Sequence, residues 1–143
     1  MTIKIIRLDK SLPLPEYQTP GSVAFDLYTR EARTIEPKTR ALLPSNFIIE
    51  VPEGYFLMLA ARSSLPKRGL VILNGVGIID QDYHGPEDET KMLVYNFTDE
   101  PITVEKGERI AQGLIIPVAH PAWEEVESIK TESRGGFGST GKG

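Results

Sequence analysis

The 143-residue sequence contains no cysteine and only two histidines, His84 and His120. The absence of thiols excludes disulfide bonds, thiol catalysis and zinc sites built from cysteine. Two imidazoles are also too few for a metal centre with several histidine ligands. Any chemistry that the protein performs must therefore depend on carboxylates, hydroxyls, amides and cationic side chains.

The sequence also lacks a long hydrophobic stretch. No window approaches the ~18 consecutive apolar residues that are needed to span a bilayer. The N-terminal residues 1–7 carry charges at Lys4 and Arg7, where a secretory signal would need an unbroken apolar run. These features predict an intracellular, cytoplasmic protein that does not associate with membranes.

An excess of basic residues is absent as well. The 16 Lys and Arg residues are outnumbered by 20 Asp and Glu residues, which gives a formal net charge of −4. Proteins that bind nucleic acid without sequence specificity present a basic surface to the phosphates. We therefore expect no nucleic-acid partner, and any phosphate must be bound at a local site.

Glycine and proline, by contrast, are frequent: 13 and 11 residues, or 24 of 143. This share of about 17% exceeds the usual ~12% and disfavours long helices. Short apolar or alternating segments recur about every ten residues between turn sequences such as Thr19–Gly21 and Asn74–Gly75. The pattern predicts an all-β sandwich, jelly roll or barrel, in which the only helical turn is Ser63–Arg68 before Gly69.

The composition changes near the C-terminus. Residues 130–143 contain five glycines, one phenylalanine and no aliphatic side chain, and they carry a net charge of +2. Such a segment cannot form a core of its own. We predict a folded domain over residues 1–129 and a flexible arm over residues 130–143. The arm is either a frayed terminus or, given its arginine, aromatic ring and hydroxyls, a segment that wraps an anion.

Two carboxylates occur close together in the segment Gly77–Gly85. On an extended strand, Asp80 and Asp82 would point to the same face. There, Asp80 can act as a general base beside the ring of Tyr83. Two alternatives stay open: a solvated turn in which the Asp side chains cap backbone amides, and Mg²⁺ binding by both carboxylates.

Two further segments carry groups that suit phosphate. Arg62, Ser63 and Ser64 follow a predicted strand and begin the helical turn. Amides at a helix start, hydroxyls and a guanidinium are typical phosphate ligands, although serine is also an ordinary helix cap. Gln112 lies in the mostly apolar run 110–116, where a polar side chain requires a hydrogen-bond partner.

Five motifs follow one another along the chain: Ser22–Leu27, Ala61–Leu65, Asn74–Gly85, Gly107–Gln112 and Arg134–Gly141. In this order and at these spacings they resemble the trimeric deoxyuridine triphosphatase (dUTPase) family, from about residue 3 to residue 141. The resemblance implies a jelly-roll β-barrel and a homotrimer whose active sites are shared between subunits. It also implies Mg²⁺-dependent hydrolysis of dUTP to dUMP and pyrophosphate, which limits uracil incorporation into DNA and supplies dUMP for dTMP synthesis.

The resemblance further implies individual residue roles. Asp80 corresponds to the carboxylate that orients and deprotonates the attacking water. Tyr83 corresponds to the aromatic residue that packs on the deoxyribose and leaves no room for a 2′-hydroxyl. Asn74 and the backbone of the hairpin that follows it, including Gly77, correspond to the elements that read uracil. Asp26 corresponds to a carboxylate that contacts Mg²⁺ through a bound water.

The implied contacts to the phosphates and the base come from three motifs: Arg62, Ser63, Ser64, Gln112, Arg134, Phe137, Gly138, Ser139 and Thr140. Phe137 would close over the base. Three departures from the family pattern are visible. Ser64 replaces a common glycine, and Arg134 lies three residues before Phe137 where the usual spacing is five. The loop Pro86–Thr90 is longer and more acidic than usual, and we expect it to be solvated.

Two other functions fit the same scaffold. The related dCTP deaminases need a glutamate three residues before an Asn, in the strand after the uracil-reading hairpin. In this chain that Asn corresponds to Asn96, and the residue three positions before it is Leu93. A leucine cannot transfer protons, which argues against deamination. A non-catalytic nucleotide-binding regulator is the second alternative, and the presence of Asp80 together with the whole C-terminal motif argues against it.

Overall fold

A computed structural model describes residues 1–138 of the chain. This part contains eleven strands: β1 (Ile5–Arg7), β2 (Phe25–Tyr28), β3 (Arg33–Ile35), β4 (Arg40–Pro44), β5 (Phe47–Ile49), β6 (Tyr55–Ala61), β7 (Leu70–Ile72), β8 (Gly77–Ile79), β9 (Lys91–Asn96), β10 (Ile102–Val104) and β11 (Arg109–Pro117). One four-residue 3-10 helix, Leu65–Arg68, lies between β6 and β7. The predicted all-β class is confirmed.

The strands pair antiparallel in four sheets. The largest has the order β2-β11-β6-β8, a second has the order β4-β9-β7, and two small sheets pair β1 with β5 and β3 with β10. Alternate side chains from these strands meet in a single core, in which Leu27, Leu43, Leu57, Met92 and Val94 are completely buried. Sheets that pack face to face in this way are consistent with a jelly roll.

The predicted helical turn is confirmed in shortened form. The helix ends at Gly69, whose φ of 84° lies in the left-handed region, and its N–H donates to the carbonyl of Pro66. A Cβ at Gly69 would lie 2.5 Å from Cγ2 of Thr98. Glycine is therefore required there by both conformation and space, as the sequence pattern indicated.

The segment between β7 and β8 differs from the prediction. The sequence suggested a hairpin after Asn74, but β7 pairs with β9 and β8 pairs with β6, so the two strands belong to different sheets. They are joined by a tight turn in which the N–H of Gly75 donates to the carbonyl of Ile72. The Asn-Gly pair forms a turn as predicted, but this turn crosses from one sheet to the other.

The last strand, β11, ends at Pro117, and residues 118–138 contain neither helix nor strand. Trp123 is 92% exposed and Ile129 is similarly exposed. The division into a domain over residues 1–129 and an arm over residues 130–143 stays a prediction. No helix within residues 1–138 has the length and apolarity needed to cross a membrane.

Candidate active site

The edge strand β2 and its neighbour β11 in the largest sheet position Asp26 and Gln112. The two residues lie opposite each other in the β2–β11 ladder, and Gln112 also lies opposite Ala60 of β6. Nε2 of Gln112 donates to the carbonyl oxygen of Ala61 at 3.0 Å. This bond supplies the polar partner that the sequence required for a glutamine in an apolar run.

The Asp26 carboxylate is 7% exposed and lies between two guanidinium groups. Nε of Arg62 is 3.3 Å from Oδ1, and Nε of Arg109 is 3.6 Å from Oδ2. Nε2 of Gln18 donates to Oδ2 at 3.0 Å. We call Asp26, Arg62 and Arg109 the arginine cluster. Two cations against one anion leave it a net positive charge, and each guanidinium keeps further N–H donors that can bind an anion.

Arg109 was missed in the sequence analysis, and a β-bulge explains its position. The register of the β2–β11 ladder shifts between Arg109 and Ala111, so Arg109 lies opposite Tyr28 while Gln112 lies opposite Asp26. Side chains three residues apart would otherwise point to opposite faces of the sheet. The bulge places both on the face of Asp26. The presence of Arg109 within the motif Gly107–Gln112 was the only signal that the sequence offered.

Two opposing effects act on the pKa of the neighbouring Tyr28. Burial raises the pKa of its phenol, while the positive charge of Arg109 opposes that shift. The net effect is a raised pKa, because desolvation disfavours the charged phenolate. Tyr28 therefore stays protonated beside the arginine cluster and adds no negative charge to it.

A groove of about 430 Å³ opens beside the arginine cluster. Four of its lining residues are cationic, and the charged or polar ones are Arg62, Ser64, Lys67, Arg68, Glu108 and Arg109, beside the aliphatic Leu65, Leu70 and Ile110. Ser63 and Ser64 are exposed, and Ser64 occupies the helix N-cap position without a side-chain capping bond. Both hydroxyls are therefore available to a ligand, unlike in the alternative in which serine serves as an ordinary cap.

Asp80 and Asp82 lie in a turn that follows β8, where the N–H of Tyr83 donates to the carbonyl of Asp80 at 3.4 Å. The prediction that both carboxylates point to one face of an extended strand is therefore wrong, because β8 ends at Ile79. Both residues line a groove of about 600 Å³ that also contains Tyr55 and His120.

Tyr83 is 38% exposed, and its hydroxyl donates to the backbone carbonyl of Glu89 at 3.2 Å. Asn74 is exposed in the turn before β8, and Gly77 begins that strand opposite Leu59. A Cβ on Gly77 would lie 3.0 Å from Cβ of Leu59, so the strand approaches β6 closely at this point. Asn74 thus lies before the start of β8, Gly77 is its first residue, and Asp80 follows its end.

Asp80 and the arginine cluster are far apart within one chain. In the β6–β8 ladder Ile79 lies opposite Leu57, so Asp80 lies near the level of Phe56. Arg62 follows the last residue of β6 and is six residues further along. At ~3.3 Å per residue, the separation along the strand is roughly 20 Å. One water molecule cannot contact both groups, and we refer to the turn with Asp80 and to the arginine cluster as the two candidate half-sites of the chain.

Near the end of the described residues, the side chains of Arg134 and Phe137 are exposed. Phe137 has a relative exposure of 114% and a φ of 50°, and the following Gly138 has a φ of 86°. Arg134 is exposed, as is Gly138. The predicted phosphate contacts Ser139 and Thr140 lie outside the described residues.

The loop Pro86–Thr90 also differs from the prediction. Its Glu89 is buried, with only 6% exposure, and forms a two-pronged ion pair with Arg30. The hydrogen bond to Glu89 raises the pKa of the Arg30 guanidinium, which favours its charged form. The expectation of a fully solvated loop is wrong for this residue. Nothing local in the sequence could have shown it, because the partners are 59 residues apart.

Among residues 1–138, no group of three or more His, Asp or Glu side chains is arranged to hold a metal ion. Mg²⁺ is commonly bound by one or two carboxylates, with waters and substrate phosphates completing its octahedron. The single carboxylate Asp26, next to a cationic groove suited to phosphate, fits a metal that the substrate carries. It does not fit a metal held by protein ligands alone.

Comparisons with known proteins agree on one family. A family model described as dUTPase matches residues 10–141. The deoxyuridine 5′-triphosphate nucleotidohydrolase of Brucella melitensis biotype 1 is 42% identical over 149 aligned positions, which cover 98% of this chain and 93% of the relative. The protein of the same description from Anaplasma marginale is 40% identical, with 99% of both chains covered.

Solved structures show the same likeness. The dUTPase of Streptococcus mutans superposes with a TM-score of 0.78 at 31% identity, covering 86% of this chain and 100% of that one. The dUTPase of Staphylococcus bacteriophage 80alpha with dUpNHpp superposes with a TM-score of 0.85 at 27% identity, and 98% of each chain is covered.

Proposed function

The chain belongs to the dUTPase family and hydrolyses dUTP to dUMP and pyrophosphate, and we propose that the two half-sites perform this reaction together. The observation that carries the proposal is the division of the groups. A carboxylate suited to activating water lies near one end of β6, and a cationic cluster suited to a triphosphate lies at the other. The predicted cytoplasmic setting is part of the proposal.

In the proposed reaction, Asp80 accepts a proton from a water molecule as the water oxygen forms a bond to the α-phosphorus. The bond from that phosphorus to the bridging oxygen breaks, and pyrophosphate leaves with the electron pair. Arg62 and Gln112 contact the phosphates, as do the hydroxyl of Ser63 and the backbone at Ser64. Positively charged donors that are fixed before the reaction stabilise the charge that develops on the phosphoryl oxygens.

Mg²⁺ belongs to the proposal as a partner of the triphosphate. When bound, the ion neutralises phosphate charge and holds the phosphates in a reactive arrangement. Asp26 is the carboxylate of this chain that would contact it through water. Because Asp26 also pairs with Arg62 and Arg109, its position is already fixed before substrate arrives.

Base and sugar selection is assigned to the segment around β8. The exposed turn at Asn74 and the backbone from Gly77 present main-chain groups to uracil. The ring of Tyr83 packs on the deoxyribose and excludes a 2′-hydroxyl. Phe137, with Arg134, Gly138, Ser139 and Thr140 around the outer phosphates, covers the bound nucleotide. The free exposure of Phe137 supports this, because a large apolar ring without a partner gains by covering a base.

Release of pyrophosphate from dUTP, dTTP, dCTP and UTP tests the specificity. We expect dUTP to be hydrolysed well above the other three nucleotides. Comparable turnover of UTP or dTTP would contradict the proposal, and release of ammonia from dCTP would instead support the deaminase alternative. Leu93, in the position where that reaction needs a glutamate, argues against it.

We further propose a homotrimer, because a separation of roughly 20 Å within one chain requires the half-sites of different copies to meet. Mixing two inactive variants tests this. Asp80→Asn damages one half-site and Arg62→Ala damages the other, so subunit exchange restores intact sites only if each site draws on two chains. Random exchange should restore roughly one quarter of the sites. A mixture no more active than its components would place both groups in one chain's site.

A further inference from the structure

The buried carboxylate of Glu89 has a complete set of partners. Nε and Nη2 of Arg30 donate to its two oxygens at 2.9 and 3.0 Å. The backbone N–H of Asn46 donates to Oε2 at 2.8 Å. A two-pronged guanidinium–carboxylate pair fixes the direction of both side chains, and the third bond fixes the carboxylate relative to the turn between β4 and β5.

The loop around Glu89 is held on both sides. The N–H of Thr90 donates to the carbonyl of Phe47, and the N–H of Ser45 donates to the carbonyl of Thr90. At the other end, the carboxylate of Asp88 accepts the N–H of Gly85 at 2.8 Å. The backbone carbonyl of Glu89 therefore lies between fixed points, although the loop is on the surface.

That carbonyl is the acceptor for the hydroxyl of Tyr83, at 3.2 Å. Tyr83 lies in a turn and is 38% exposed, so packing leaves the direction of its ring partly unrestricted. A hydrogen bond to a rigid acceptor restricts it instead. The chain of contacts thus runs from Arg30 through Glu89 to the edge of the ring that is assigned to the sugar.

We propose that Arg30 and Glu89 are positioning residues for Tyr83 and thereby for discrimination between deoxyribose and ribose. They touch no substrate atom; they hold the loop against which the ring is oriented. This inference rests on the proposed role of Tyr83. It gives the acidic loop Pro86–Thr90 a function in specificity.

The test uses Arg30→Lys, which keeps the positive charge but cannot donate two parallel hydrogen bonds to a carboxylate. The readout is the ratio of kcat/KM for dUTP to kcat/KM for UTP. A variant that is merely less well folded loses active enzyme equally for both nucleotides, and the ratio is unchanged. We expect the ratio to fall by at least about fivefold, since a loosened ring admits the extra hydroxyl.

Arg33→Lys is the matched control. Arg33 also pairs with a glutamate, Glu31, in a contact where the two side chains are 39% and 45% exposed. Nη1 of Arg30 lies 3.5 Å from the same glutamate, and Arg33→Lys leaves both that contact and the pair with Glu89 in place. The ratio of kcat/KM for dUTP to that for UTP in Arg33→Lys should stay within about twofold of the ratio in the unaltered protein. An unchanged ratio in Arg30→Lys, or an equal fall in both variants, would overturn the inference. Glu89→Gln, which keeps the shape but removes the charge, should repeat the effect of Arg30→Lys.

A double-mutant cycle tests the route. Tyr83→Phe removes only the hydroxyl that reaches the Glu89 carbonyl, and we expect it to lower the ratio as well. If Arg30 and Glu89 act through this hydrogen bond, Arg30→Lys lowers the ratio less in the Tyr83→Phe background than it does in the unaltered protein. Effects that simply multiply would overturn the inference. The unaltered protein tests the proposed function separately: without a preference for dUTP, that proposal fails, and this inference with it.

Discussion

The arginine cluster and the C-terminal segment are both assigned to the triphosphate, yet the molecule builds them in opposite ways. Asp26, Arg62 and Arg109 belong to or directly follow neighbouring strands, and ion pairs fix their side chains. Residues 118–138 contain no helix or strand, and Phe137 is fully exposed.

The difference determines when each region becomes ordered. Strand hydrogen bonds place the cluster before substrate arrives, so little entropy is lost on binding. Ordering an extended segment costs roughly 1–2 kcal/mol per residue in backbone entropy, which contacts with the ligand must offset. We therefore expect the strands to supply the fixed groups and the segment to supply closure that depends on the ligand.

Asp80→Asn is expected to have the largest effect, because it removes the proton acceptor from the fixed part while keeping the size of the side chain. We predict a fall in kcat of at least ~10²-fold with nucleotide binding largely retained, measured by steady-state kinetics and equilibrium binding. Asp82→Asn, in the same turn, is the control and should change kcat little. If Asp82→Asn is instead the inactive variant, the base has been assigned to the wrong carboxylate.

Truncation of the chain after Ile129 tests most directly whether the C-terminal segment contributes to catalysis. The truncated chain should fold and assemble as the full chain does, because the core and the strands lie before this point. Its kcat/KM for dUTP should fall by at least about tenfold, since water is no longer excluded from the closed site. Size-exclusion chromatography and kinetics together decide this. A truncated protein with full activity would show that the segment is only a frayed end.

Phe137→Ala sharpens the comparison, because it removes one ring and leaves the rest of the segment. Loss of aromatic stacking on the base should reduce kcat/KM by about three- to tenfold, less than truncation does. Thermal stability should not change, since the exposed ring packs against nothing in the folded domain. A matching loss of stability would mean that the ring belongs to the core.

The smallest effect is expected on substitution of Asp9, which lies in the folded domain close to β1 but outside both half-sites. Lys106, 2.7 Å from its Oδ2, and Ser11 hold the pKa of Asp9 well below its usual value near 3.8. A carboxyl whose pKa is lower in the folded state stabilises the protein above the unfolded value, and this contribution is lost as pH falls below it.

Asp9→Asn should therefore reduce stability at pH 7, and its difference from the unaltered protein should shrink as the pH falls from 5 towards 2. Urea unfolding at several pH values measures this. Asp99→Asn is the control, because Asp99 is exposed and lies 3.8 Å from Lys38. Activity should be unchanged in both variants, which separates contacts that support the fold from groups that serve the site.

The sequence predicted features that depend on local pattern. Alternating apolar segments and turn residues indicated most strands, and Gly69 indicated the helix end. The need of Gln112 for a partner was also visible, because a polar side chain in an apolar run must be satisfied. The strand β3 was missed, since Arg33–Ile35 contains a single apolar residue.

Features that depend on register or on distant partners were not predictable. The bulge that brings Arg109 to Asp26 arises in the pairing of two strands, and no local residue pattern specifies it. The pairing of Arg30 with Glu89 joins residues 59 positions apart. The order of sheets likewise decided that the segment after Asn74 crosses between sheets and does not pair with β7.

The length of β6 has a consequence for the behaviour of the protein in dilute solution. In the proposed shared sites, catalysis is a property of the assembly, so we expect turnover per chain to follow the fraction of chains that are associated. Specific activity then falls on dilution below the association midpoint and recovers on concentration.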